Sequence, residues 1–152
     1  MPSSATILEL AQQIAISTPD FFVKKGPSIG DKATLLFMAQ LRQQVREVLG
    51  YDCSEQKLVG DAGFAADFYV RSEASVIEIA LSLHNPMSEF EKDILKALMA
   101  KELGNPVERL VFISKPGALK RHSSPGSRAI RGWVERNHGI VVEIDELTPP
   151  SD

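Results

Sequence analysis

Two short apolar runs, each interrupted by a single carboxylate, constrain this chain more than any other feature. Gly63 to Leu83 reads GFAADFYVRSEASVIEIALSL. A lone carboxylate on a half-buried strand is costly unless a partner compensates it. In the second run Ile77, Ile79, Leu81 and Leu83 alternate with Val76, Glu78, Ala80 and Ser82, a period of two that predicts a strand with the large aliphatics on one face. In the first run Ala65, Asp67 and Tyr69 share a face, opposite Ala66, Phe68 and Val70. A turn at Arg71 to Ala74 pairs Val70 with Ser75 and sets Asp67 opposite Glu78 on one face. Directly paired side chains lie about 5 Å apart at Cβ, close enough to share one divalent cation. A slip of one residue would send every side chain to the other face.

The remaining pattern predicts a helix at 4–17, with Ile7, Leu10, Ala11 and Ile14 at core spacing and Pro19 beyond its end. Lys24 to Gly30 reads as a loop. A longer helix follows from about Asp31 to Leu49, with an apolar stripe of Ala33, Leu36, Phe37, Leu41, Val45 and Val48, stopped by Gly50. Lys57 to Val59 reads as a short first strand before the two acid-bearing ones. His84-Asn85-Pro86 breaks the chain, and Ser88 with Glu91 forms a capping box opening a helix through Leu103. Val107 to Ile113 is an apolar strand, and a strand–helix–strand step of this length implies a parallel pair. A loop from Lys115 to Gly126, a helix from about Ser127 to Asn137, a strand at Ile140 to Ile144 and a frayed tail from Thr148 complete the chain. This order predicts an α/β fold, a mixed central sheet flanked by helices. One domain over residues 1–152 is expected, with its core at about 31–147.

No run of apolar residues is long enough to span a membrane, and no basic-then-apolar leader is visible. The single cysteine, Cys53, excludes an internal disulfide, and a cytoplasmic location is expected. The net charge of −3 argues against a general nucleic-acid binder, but charge is unevenly placed. From Lys115 to His138 the balance is +5, carried by Lys115, Lys120, Arg121, Arg128, Arg131 and Arg136 against Glu135. Such a segment suits phosphates; a solvated loop and helix face is the plainer alternative.

An Asp on one strand, a tight turn, then a strand bearing an acid followed two residues later by a lysine resembles the core of the PD-(D/E)XK, or restriction-endonuclease-like, nucleases. Asp67 stands at the family's Asp, Glu78 at its acid and Ile79 at its variable position. The resemblance extends over most of Asp31 to Leu147, the first helix being an addition. It implies a metal-dependent nuclease in which Asp67 and Glu78 hold Mg²⁺ or Mn²⁺. With that reading, the basic segment makes Lys115, Lys120, Arg121, Arg128 and Arg131 the groups expected to hold nucleic acid.

Two departures accompany the resemblance. Ala80 stands where the family has its lysine, and alanine can neither activate a water nor stabilise charge on phosphate. The helix that follows offers Lys92 and Lys96, and Lys92, one turn in, is the expected catalytic stand-in. The long first helix offers only Glu47, near its end, where the family often adds a glutamate; Gln40, Gln43 and Gln44 hold the likelier places. The alternative function is a non-catalytic binding or assembly module, for which a homodimer is expected. Asp61 reads first as a turn former and second as a further ligand. Trp133, with Ile130 and Val134, reads as core. His84, His122 and His138 fall in breaks or loops without a triad's spacing.

Overall fold

The computed structural model describes residues 2–23, 30–81 and 86–151. Most of the loop expected at Lys24 to Gly30 lies outside them, as do His84 and the Ser88 side chain of the expected cap. The chain divides into two compact units, Met1–Asp52 with Leu147–Asp152, and Cys53–Glu146.

The first unit pairs α1 (Ser3–Ser17) with α2 (Gly30–Leu49). At the end of α1, the Thr18 N–H and hydroxyl both donate to the Ile14 carbonyl, and Pro19 cannot continue the helix. Ile7, Ala11 and Ile14 are buried, as are Phe37, Leu41 and Val45 four residues apart on α2. Phe21 packs on Phe37 with ring centroids 4.8 Å apart. The expected α2 stripe is therefore too broad. Leu36 and Val48 flank the Phe37–Leu41–Val45 line and are exposed. The tail is not frayed at its start, because Thr148 exchanges two hydrogen bonds with the Gln12 amide, both 2.7 Å.

The second unit is a five-stranded mixed sheet in the order β1 (Ser54–Lys57), β2 (Ala65–Val70), β3 (Ser75–Ala80), β4 (Arg109–Ser114), β5 (Val141–Glu146). The first three strands form an antiparallel meander; β3, β4 and β5 run parallel. Both parallel steps advance in the same direction across the sheet, so the right-handed crossover rule places their helices on one face. The packing agrees. Phe90, Ile94 and Ala97 of α3 (Pro86–Glu102), Ala118 of α4 (Ala118–Arg121) and Val134 of α5 (Pro125–His138) share a core with Val76, Leu110, Phe112, Val142 and Ile144. Each fully buried large side chain contributes roughly 1.5–3 kcal/mol. Phe68, Val70, Ile77, Val111 and Ile113 are buried on the opposite face.

The β2–β3 register follows the sequence expectation: Val70 pairs with Ser75, Tyr69 with Val76 and Phe68 with Ile77. The turn is a single 3₁₀ turn ending at Ala74, whose φ of 47° is left-handed. β1 lies earlier than expected. Polar Ser54 to Lys57 forms this edge strand, where half the side chains face solvent, while Leu58 and Val59 leave it to pack against the helix-side core. Trp133 is not core. It is 48% exposed, one position out of phase with the buried Val134. The loop expected from Lys115 contains the added turn α4, and Ser124 caps α5 by accepting from the Ser127 N–H with Pro125 at its first position.

Candidate functional site

The helix-covered face of the sheet carries a cluster of charged side chains. Glu78 is the inward residue between Val76 and Ala80, and its β4 neighbour is Phe112, so it is only 5% exposed. Asp67 continues the β2 register to the position across from Glu78. Its ladder stops there: the Ile79 N–H donates to the Asp67 carboxylate Oδ2 at 2.7 Å, so a side chain completes the pairing and is fixed in direction. α3 then lays Asp93 and Lys96 over this end of the strands. The Lys96 ammonium donates to Glu78 Oε1 at 3.2 Å, to Asp93 Oδ1 at 3.2 Å and to the Ala65 carbonyl at 2.9 Å. It thereby ties α3 to both acid-bearing strands.

The charges do not balance. A cleft of about 420 Å³ opens beside this cluster, lined by the carboxylates of Asp67, Glu78, Glu89 and Asp93 and the ammonium groups of Lys92 and Lys96. Burial, then the neighbouring Asp93 and Asp67, push the Glu78 carboxyl up to about 8, although Lys96 opposes them. Burial also raises Asp93; Lys96 works against that rise, while Asp67 and Glu89 add to it. Burial disfavours the Lys96 charge, but Glu78 and Asp93 outweigh it and hold the ammonium above its usual range. The cluster is short of positive charge, the condition a divalent cation relieves. Asp67 and Glu78 carry carboxylate oxygens of the hard kind that could take Mg²⁺ or Mn²⁺, ions usually held by one or two carboxylates with water completing the shell. No group of three or more His, Cys, Asp or Glu side chains is set to hold a metal ion among the described residues.

Lys92 lines the same cleft one turn before Lys96 and is exposed, whereas Lys96 is the lysine that touches Glu78. Glu47 belongs to the first unit, exposed and accepting from Gln43 Nε2 at 3.1 Å. Asp61 is exposed in its turn and is not among the cleft-lining residues. In the basic segment Lys120, Arg121 and Arg128 are exposed, while Lys115 and Arg131 are half-buried. Ser114, where that segment departs from β4, pairs with Ala80 beside the cleft.

Two residues stand out only in the structure. Asp93 lies between Phe90, Ile94 and Ala97 on the buried stripe of α3, so an acid out of place in a 3.6-residue pattern marked it. His122 Nδ1 lies 3.1 Å from Ser127 Oγ, both buried, across the α4–α5 elbow. A five-residue spacing spanning two elements carries no sequence signature. Ser127 is wholly buried and cannot meet a substrate.

No helix is long and apolar enough to cross a membrane among the described residues. No protein-family model, curated protein or solved structure matches the chain.

Proposed function

We propose that the chain has a restriction-endonuclease-like core and is a metal-dependent nuclease-like protein acting on nucleic-acid phosphodiesters. The observation that carries the reading is that Asp67 and Glu78, from adjacent strands, line one cleft in which four acidic residues meet two lysines. Asp67 and Glu78 hold Mg²⁺ or Mn²⁺. The chemistry such an ion would supply there is polarisation of the scissile phosphate and a lowered pKa for the attacking water. The Ile79 N–H orients Asp67, and Lys96 orients Glu78. Lys92, exposed on the cleft wall, takes the part of the lysine missing at Ala80 and stabilises charge on phosphate. Lys115, Lys120, Arg121, Arg128 and Arg131 hold the backbone through charge, giving salt-sensitive binding with little sequence preference.

Ala80 favours a second reading, a non-catalytic binding or assembly module that keeps the same core and forms homodimers. Cleavage of linear, single-stranded and branched DNA and RNA with Mn²⁺ or Mg²⁺ separates the two. Activity that Asp67→Ala abolishes supports the nuclease. Activity that survives this change assigns cleavage elsewhere. No activity in either protein favours the second reading.

A further inference from the structure

α4 is one turn of helix, too short to hold itself in place. Side chains from β5, from α5 and from its own C-cap hold it. The Glu146 carboxylate at the end of β5 accepts from the Gly117 N–H at 2.9 Å and the Leu119 N–H at 2.8 Å. His122, which caps the turn, inserts its ring between α3 and α5. The ring lies 4.5 Å from that of Phe90, and Nδ1 meets the Ser127 hydroxyl. A water-sized cavity of about 10 Å³ adjoins the ring, lined also by Ala80, Glu89 and Ser114. The same turn presents Lys120 and Arg121 to solvent.

The charged groups around the ring are mostly cationic. Arg121 precedes it. From α5 the Arg131 guanidinium donates through Nη2 to the His122 carbonyl at 2.7 Å, and Arg131 Nε is buried without a partner among the described residues. From α3, Glu89 is the charged group lining the cavity among the described residues, and it is exposed and therefore well screened. Burial first, then Arg131 and Arg121, hold the imidazole below its usual range.

We propose that α4 is a pH-sensitive latch: acidification charges His122, expels its ring from between α3 and α5, and releases the turn carrying Lys120 and Arg121 while the five-stranded sheet stays folded. The sign follows from the linkage. A base with a lowered folded-state pKa contributes stability that is complete above its unfolded pKa, about 6.5, and is lost as pH falls below it. The latch does not depend on nuclease activity.

Amide hydrogen exchange of the whole chain, corrected for intrinsic rates, tests it between pH 7.5 and 5.5. Protection of residues 117–123 should fall, by up to about tenfold, the limit for one proton across one pH unit below 6.5, while β3 and β4 amides hold. In His122→Gln, which cannot gain a proton here, that fall should vanish. NMR titration of the His122 ring in the unaltered protein should give a midpoint below the usual imidazole value and needs no variant. Unchanged protection in 117–123, an equal loss across the sheet, an equal fall in the variant, or a ring titrating at or above the ordinary value would each overturn the latch.

Discussion

Replacing Glu78 with glutamine should make the cation-free protein more stable, and by an amount that grows with pH. The carboxyl titrates near 8 in the fold against an ordinary 4.5. An acid with a raised folded-state pKa costs nothing below its unfolded value and its full cost above its folded one. Between pH 5 and 8 that cost rises by roughly 3 kcal/mol for a single proton, at 1.36 kcal/mol per unit. Glutamine fills the same volume and stays uncharged, and Lys96 keeps Asp93 and the Ala65 carbonyl as partners. At about 2–4 °C per kcal/mol for a chain of this size, Glu78→Gln should gain about 10 °C over the parent protein between pH 5 and 8. Thermal unfolding of both proteins in EDTA across this range measures it. Parallel curves, or a variant less stable at pH 8, would refute the electrostatic account of the cluster.

Lys96→Ala leaves Glu78 and Asp93 without their ammonium. It should destabilise the fold by about 3–5 kcal/mol at pH 8 and by less at pH 5, where Glu78 is protonated, as urea unfolding at both pH values would show. Lys92→Ala, on the exposed cleft wall, should change stability by less than about 0.5 kcal/mol while reducing any cleavage. Neutralising Lys120 and Arg121 together should lower the slope of log affinity for duplex DNA against log salt by up to about 2; an unchanged slope would place the phosphates elsewhere. Tyr69→Phe removes the hydrogen bond to the Pro106 carbonyl and should cost about 1 kcal/mol in urea unfolding.

The meander and its register were legible because alternation, turn length and the paired acids agreed. Val70–Ser75 follows once four residues are given to the turn. The parallel strands were legible from their apolar runs and intervening helix. What escaped the sequence was set by three-dimensional neighbours. Leu58 and Val59 look like strand residues, yet the edge strand is the polar stretch before them, because an edge need only bury one side. Trp133 carries a core residue's chemistry at an outward phase of α5. Lys92 and Lys96 both line the cleft, but the contacts of Lys96 with Glu78 and the Ala65 carbonyl were not legible, since they depend on where α3 lies over β2 and β3. Asp93 was legible in principle as a charge on an apolar stripe. His122 with Ser127 was not, because only the α4–α5 elbow brings them together.

Calorimetric titration of the whole chain with Mn²⁺ at pH 8, beside Asp67→Ala, asks most directly whether the paired carboxylates form a cation site. The account predicts saturable binding of Mn²⁺ that disappears in the variant while the variant stays folded by circular dichroism. Absence of binding at millimolar Mn²⁺, or equal binding by both proteins, would contradict it.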